Sequence, residues 1–600
     1  MENLHFSQFI FTQAKKYGDK AALCHRKELS DEWSKISWTS FANQIVSIAK
    51  AFVELGVTEQ QRVAQFSQNR AENLIVDFAL FANRAIMVPL YATSTAAQVE
   101  FIVNDAEIEI IFVGDQQQYN VAQEVMRTSK FLKKIIVFDK NVVFPDSVHA
   151  MYYDDFLLKG EKSSKQSEVE QRQQVVVESD LACILYTSGT TGNPKGVMMP
   201  HSCFIEAMRI HTIRLTSITD KDTTIAFLPL SHVFERTWCY FCLLKGVTIY
   251  INLRPTEIQE TIRNVRPTLM CAVPRFWEKV YAGVKDNLSK YSPLMLGIVA
   301  WAVATGKRHN VDILRVGRKP DIFLKFGYSV ANKLIFSKVK ETLGIENANM
   351  LPTAGAKLSD EIALFFRSIG VPLVYGYGLT ESTATVCCYE YVNYEIGTVG
   401  NIMPDVQVKI GDDNEILLKG KTIFPGYYNN PEANAASFTE DGWFKTGDAG
   451  YIKEDKIVLT ERIKDLFKTS NGKYIAPQEI ETRLALDKYI EQVAVIGDER
   501  NFVTAIIAPS IPALEEYANK NKIAYRNIDE LLKSSAIEQL IHNSIAEQQN
   551  GMANYEIIKR FFLIKKGFAI ESGELTNTLK IRRAVIMQKY KSQIDEMYSN

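Results

Sequence analysis

The stretch Tyr186-Thr-Ser-Gly-Thr-Thr-Gly-Asn-Pro-Lys-Gly196 gathers what a loop needs to hold a polyphosphate. Its glycines, Gly189, Gly192 and Gly196, let the backbone come close to a ligand. Thr187, Ser188, Thr190 and Thr191 supply hydroxyl donors, and Lys195 adds a positive point charge, so that together they can line a nest for a triphosphate. It is not a Walker A loop, because Gly196 rather than Ser or Thr follows the lysine. A second candidate is the C-x-x-C pair Cys239 and Cys242, which lies in the apolar run Trp238-Cys-Tyr-Phe-Cys-Leu-Leu244. No second ligand pair accompanies it, and two ligands do not make a zinc site, so both read as buried core thiols.

The elements that must carry this loop follow from the rest of the chain. Six hundred residues are too many for one core and predict several domains or subdomains. With 46% hydrophobic and 23% charged residues the composition is that of a globular protein. A net charge of −1 gives no overall field toward nucleic acid, so a bound polyanion has to be small and held locally. The eight cysteines form no disulfide framework, which suits a reducing, cytoplasmic setting. The first residues lack a basic leader followed by a long apolar stretch, so no signal peptide is expected. Leu294–Ala304, the longest uncharged apolar run, is about half the length a membrane-spanning helix needs.

Short apolar runs read as buried strands: Leu181–Tyr186, Thr224–Leu228, Gly246–Ile251, Thr268–Val273 and Val371–Tyr375. Amphipathic stretches, Pro255–Val265 and Ser359–Ile369, lie between them. Alternating strands and helices predict an α/β fold with mostly parallel sheets. The polar patch Lys159–Gln174 reads as an exposed linker. Past about residue 400 short strands and Gly/Pro/Asn turns take over. Pro477-Gln-Glu-Ile-Glu481 opens a helix, and Gln492–Ile496 and Val503–Ala508 flank a turn in a separable C-terminal unit.

The phosphate loop resembles that of the adenylate-forming superfamily, which includes acyl-CoA synthetases, luciferases and peptide-synthetase adenylation domains. Four more motifs follow in the family's order: Tyr375-Gly-Tyr-Gly-Leu-Thr-Glu381, Trp443-Phe-Lys-Thr-Gly-Asp448, Glu461-Arg-Ile-Lys-Asp465 and Thr576-Asn-Thr-Leu-Lys580. The resemblance spans roughly residues 10 to 590. It implies a large AMP- and acyl-binding domain over 1–461 and a small mobile α+β domain over 462–600. Gly376, Tyr377 and Gly378 would frame the adenine, with Tyr377 stacked on it. Thr380 would contact phosphate and Glu381 would bind Mg²⁺, a cation that prefers carboxylate and phosphate oxygens. Asp448 would accept both ribose hydroxyls, and Arg462 would fix the ribose or α-phosphate side. Lys580 would bridge the carboxylate and the α-phosphate, stabilising charge gathered in the transition state. Asn577 stands where close relatives have proline. Lys464 would be the hinge about which the small domain turns after adenylation, and Gly472 would lie by the coenzyme A arm.

Leu228-Pro-Leu-Ser-His-Val-Phe-Glu-Arg236, Val273-Pro-Arg-Phe-Trp-Glu-Lys279 and Thr578-Leu-Lys-Ile-Arg-Arg583 resemble the long-chain fatty acid branch, with His232 near the acyl carboxylate or, alternatively, capping a helix. ATP, coenzyme A and a fatty acid would then be substrates and Mg²⁺ the cofactor. Rival readings are a ligase that loads an acyl carrier protein and a non-catalytic acyl or nucleotide sensor. Residues 285–345 set an apolar run beside Lys307, Arg308, Arg315, Arg318, Lys319 and Lys325. Two readings stand open there: peripheral contact with the inner membrane face, or a helical insertion with its charges in water. The sequence leaves the oligomeric state open, a homodimer included.

Overall fold

The computed structural model describes residues 5–26, 32–145, 148–187, 193–463, 465–470, 473–576 and 580–599. A seven-stranded sheet runs in the order Ala150–Tyr152, Lys134–Val137, Ile110–Val113, Arg62–Phe66, Ile86–Leu90, Leu181–Thr187, Lys195–Pro200. Its strands are parallel except for the last pair, where Thr187 opposes Lys195 in an antiparallel hairpin. The inner strands are continuous apolar runs, such as Ile110-Ile-Phe-Val113, because helices cover both faces. A four-stranded sheet joins Thr223–Ala226, Thr248–Ile251, Ala21–Arg26 and Trp33–Ser37. An eight-stranded sheet begins with the parallel pair Leu351–Thr353 and Leu373–Tyr377 and continues antiparallel to Gln407–Ile410.

The fold is mixed α/β, with a large N-terminal part and a smaller C-terminal part. The smaller part has a three-stranded sheet, Ile490–Ile496, Val503–Pro509 and Ile558–Leu563, and the helix Pro477–Leu484 begins at the expected proline. Its buried clusters draw only on residues 467 to 597, whereas those of the larger part draw on residues 6 to 457.

Two local expectations give way. Lys159–Gln174 is not a linker: helices Tyr153–Lys162 and Gln166–Gln174 pack on Trp38–Glu54. A Cβ on Gly160 would meet the Ser47 carbonyl oxygen at 1.8 Å, and Arg172 donates to the Val57 carbonyl at 2.7 Å. Polar composition here records the solvent face of helices whose few contact residues suffice to hold them. Thr268–Val273 makes no full strand. Leu269 bridges Thr224 and Met350, and Ala272 bridges Thr353, so the segment stitches the four-stranded sheet to the eight-stranded one.

Candidate active site

Lys195 opens the strand Lys195–Pro200, directly after the phosphate loop. A Cβ on Gly196 would lie 2.9 Å from Ile184 Cγ2 and 3.0 Å from the Tyr186 ring, so the hairpin closes only on a glycine. Lys195 Nζ sits 5.0 Å above the Tyr427 ring, and the Tyr427 hydroxyl donates to Glu381 Oε1 at 2.9 Å. The strand Leu373–Tyr377 delivers the second motif to the same place. Gly378 passes so close to the following turn that a Cβ would meet the Ala384 carbonyl oxygen at 1.2 Å. Burial raises the Glu381 carboxyl above the usual range, with the Tyr427 hydrogen bond working the other way. Thr380 is buried beside it.

Asp448, buried on the strand Phe444–Lys453, accepts from the Tyr377 hydroxyl at 2.7 Å and from Arg462 Nε at 3.0 Å. The register of the two strands puts Asp448 opposite Arg462, so the Arg–Asp pair is built into the sheet. Tyr377 and Asp448 thus meet, with the Tyr377 hydroxyl already on the carboxylate expected to take the ribose hydroxyls.

Lys580 comes from the smaller part. A tight hairpin carries it: Leu575 bridges Ile581, the Thr576 amide donates to the Lys580 carbonyl at 2.8 Å, and the Lys580 amide donates to Thr576 Oγ1 at 3.0 Å. Arg275 Nη2 reaches the Glu491 carbonyl at 2.5 Å where the two parts meet. The Lys580 side chain keeps solvent access, yet protein crowds it, and its pKa falls to about 8. Burial is the largest cause and the Arg462 charge the next, while Asp448, Asp465 and Glu381 pull upward.

The charge of Lys580 is felt at His232, whose pKa burial, chiefly, and then Lys580 lower to about 4. His232 does cap the helix Val233–Lys245: its Nδ1 accepts the Phe234 amide at 3.2 Å. That bond assigns the neutral ring's proton to Nε2, which becomes a donor. The capping and functional readings of His232 are therefore compatible. Three residues clamp the Leu228–His232 loop. Asn69 bonds both Leu228 and Leu230, Arg236 Nε donates to the Leu230 carbonyl at 2.7 Å, and the Glu235 carboxyl takes the Leu228 amide. Arg236 is itself anchored by an ion pair to Asp77, with both side chains 1% exposed, and Tyr240 donates to the same carboxylate at 2.7 Å.

The AMP-binding enzyme profile matches residues 10–428, and the profile of the AMP-binding enzyme C-terminal domain matches residues 464–600. The chain belongs to the AMP-binding enzyme family. Over 584 residues this AMP-binding enzyme is 29% identical to a long-chain-fatty-acid–CoA ligase of Mycobacterium bovis, covering 97% of this chain and 95% of the relative. It is 27% identical over 643 residues to a chloroplastic long-chain-fatty-acid–[acyl-carrier-protein] ligase of Arabidopsis thaliana, covering 98% and 86%. In fold it is similar to the adenylation domain of a carboxylate reductase from Mycobacterium chelonae, at a TM-score of 0.80 and 22% identity, covering 100% and 92%.

Of the site residues expected in this AMP-binding enzyme, the structure brings together Lys195, Glu381, Tyr377, Asp448, Arg462, Lys580 and His232. Thr187 ends the strand before the phosphate loop. Ser188, Gly189, Thr190, Thr191 and Gly192, Lys464, expected as the hinge, Gly472 and Asn577 lie outside the described residues. Sequence reading missed Tyr427, which lies in one of the Gly/Pro/Asn turns past residue 400, Phe424-Pro-Gly-Tyr-Tyr-Asn-Asn-Pro431. The segment Phe424–Tyr428 ties two motifs together: the Phe424 amide donates to the Glu381 carbonyl at 2.9 Å and the Tyr428 amide to the Gly196 carbonyl at 2.7 Å. Paired aromatics in a Gly/Pro turn are the signal that could have singled it out. Cys239 and Cys242 are wholly buried, and burial raises both thiols.

Proposed function

We propose that this enzyme activates a long-chain fatty acid with ATP, giving the acyl-adenylate and pyrophosphate, and then transfers the acyl group to coenzyme A. The observation that carries the reading is Lys580, a cation brought from the small part to stand among Asp448, Glu381 and Arg462 within electrostatic reach of His232. In the first half a carboxylate oxygen attacks the α-phosphorus and the bond to the β-phosphate oxygen breaks. Two anions approach one another, and the Lys580 ammonium offsets the charge that builds between them. His232 Nε2–H donates to the acid's carboxylate and orients it. Asp448 exchanges the Tyr377 hydroxyl for ribose hydroxyls, and Lys195 with Thr187 and Thr380 faces the phosphates.

Glu381 fits Mg²⁺: it is an acceptor-only carboxylate whose burial is relieved by a neighbouring cation. When bound, the ion supplies charge neutralisation on the phosphates. In the second half the coenzyme A thiol attacks the acyl carbonyl carbon and AMP leaves. The division into 1–461 and 462–600, rotation about Lys464 and an arm passing Gly472 belong to this reading. The names of the relatives support the long-chain acid. One of them loads a carrier protein, so the thiol acceptor is the point to test.

The test is acid-dependent exchange of pyrophosphate into ATP, from acetate to stearate, with and without coenzyme A. We expect exchange to peak at long acids and thioester to form only with the coenzyme. Exchange without thioester assigns a carrier protein as acceptor, and no exchange with any acid overturns the reading in favour of a sensor.

A further inference from the structure

Between the helix Pro274–Ser289 and the strand Leu351–Thr353 lies a run of helices with an unusual surface. It carries half of the large apolar side chains exposed among the described residues, 11 of 22, all within residues 291–334. Phe323 is 85% exposed, Leu294 79%, Ile322 76% and Phe326 73%. Single exposed apolar residues are ordinary on a protein surface, but a cluster of this kind marks an interaction site.

The cluster stands on a firm base. The helix Ile322–Ala331 packs on the helix Pro293–Gly306, and Tyr328 stacks on His309 at 4.0 Å with planes 4° apart. Asn310 Nδ2 donates to the Ser368 carbonyl at 2.9 Å, and a Cβ on Gly306 would meet the same oxygen at 2.3 Å. Arg315 closes the base by donating to the Val311 and Tyr394 carbonyls at 2.9 and 2.8 Å. The apolar side chains therefore point outward from a well-packed hairpin.

The charge around them is one-sided. Residues 291–340 hold nine Lys or Arg against Asp312 and Asp321, a net +7 in a chain whose total is −1. Lys307, Arg308, Arg318, Lys319, Lys325 and Lys333 are exposed, and none makes an ion pair among the described residues. Lys325 shares a helix face with Ile322 and Phe326, where a long stem can lie among apolar groups while its ammonium reaches outward. A second copy of the chain meeting this face would bring like charge to like. An anionic bilayer offers phosphates for the cations and acyl chains for the aromatics. Among the described residues no helix is long and apolar enough to cross a membrane, so the helices would lie on the surface.

We propose that residues 291–334 dock this protein on the surface of an anionic phospholipid bilayer. Leu294, Trp301, Ile322, Phe323 and Phe326 enter the acyl boundary, and the neighbouring cations contact the headgroups. The docking face is independent of which acid is activated, and it is tested without turnover. Full-length protein is sedimented with vesicles rich in phosphatidylglycerol and with pure phosphatidylcholine vesicles, at low and high salt.

We expect at least about tenfold stronger partitioning to the anionic vesicles, weakened by salt. Two triple variants should each lower it by about tenfold or more, Ile322→Ser/Phe323→Ser/Phe326→Ser by removing insertion and Arg318→Ser/Lys319→Ser/Lys325→Ser by removing attraction. Pyrophosphate exchange in solution should persist in both and serves as the check on folding. Should the apolar variant fail that check, the charge variant, which alters only exposed side chains, decides alone. Protein that stays in the supernatant, or variants that bind like the parent, overturns the proposal. So does gel filtration showing a self-association that the apolar variant abolishes while vesicles bind nothing.

Discussion

The two sides of the site are built in different ways. On the side of the larger part, expected to hold the nucleotide, the described charged groups are tied to neighbours: Asp448 by hydrogen bonds from Tyr377 and Arg462, Glu381 by one from Tyr427, and Lys195 by a cation–π contact with the ring beneath it. Among the described residues Lys580 is hydrogen-bonded within its own hairpin, through Thr576, and the other side acts on it through charge. A residue held by hydrogen bonds is slow to leave, whereas one held by an electrostatic balance can be withdrawn at little cost. The contrast supports the proposed sequence, in which the first half-reaction uses Lys580 and the second proceeds without it.

Removing the unbonded cation is the largest test of that contrast. Lys580→Ala should lower acid-dependent pyrophosphate exchange by about 10²–10³-fold, the scale of one fixed transition-state donor. Thioester formation from supplied acyl-adenylate and coenzyme A should continue at near the parent rate. An equal loss in both half-reactions would mean that Lys580 supports the whole site.

A smaller effect comes from pH. Lys580 works as an ammonium, charged below a pKa of about 8 and neutral above it. The kcat/KM for exchange should therefore fall by about tenfold from pH 7 to pH 9. His232, with its pKa lowered to about 4, stays neutral across that window and adds no limb of its own. Lys580→Arg should move the alkaline limb upward out of range, and a limb that stays put would assign it to another group.

The smallest effect probes the bonded side. Tyr427→Phe removes one hydrogen bond from Glu381 and keeps the ring under Lys195. A neutral donor of this kind is worth about 0.5–1.5 kcal/mol, or roughly a two- to twelvefold loss in kcat/KM for ATP. A loss as large as that of Lys580→Ala would show that the bonded side is no more secure than the other.

Much of this arrangement was legible in the chain. Contiguous motifs carry their own backbone geometry, so Gly196 could be read as a place where the backbone comes close, whereas the crossing at Gly378 is seen only in the fold. The pairing of Asp448 with Arg462 could not, because it rests on a strand register between residues 14 apart that no local signal sets. Tyr427 escaped for a similar reason: its role depends on two partners, Glu381 and Lys195, brought together by the sheets. The supposed linker at Lys159–Gln174 failed because composition averages over helix faces, and a few residues, Gly160, Val169 and Arg172, hold the packing. His232 was left between capping and function, and the structure shows the cap, through Nδ1, with Nε2 left over for the proposed role.

The separation of the hydrophobic clusters, residues 6–457 on one side and 467–597 on the other, has a consequence for affinity. A ligand that touches Lys580 and Asp448 at once can be fully held only by molecules in which the two parts are docked. Its measured dissociation constant is then the intrinsic one divided by the docked fraction. Substitutions at Arg275, or at other points where the parts touch, would weaken such a ligand from a distance. They would leave unchanged the binding of any fragment that rests on the larger part alone.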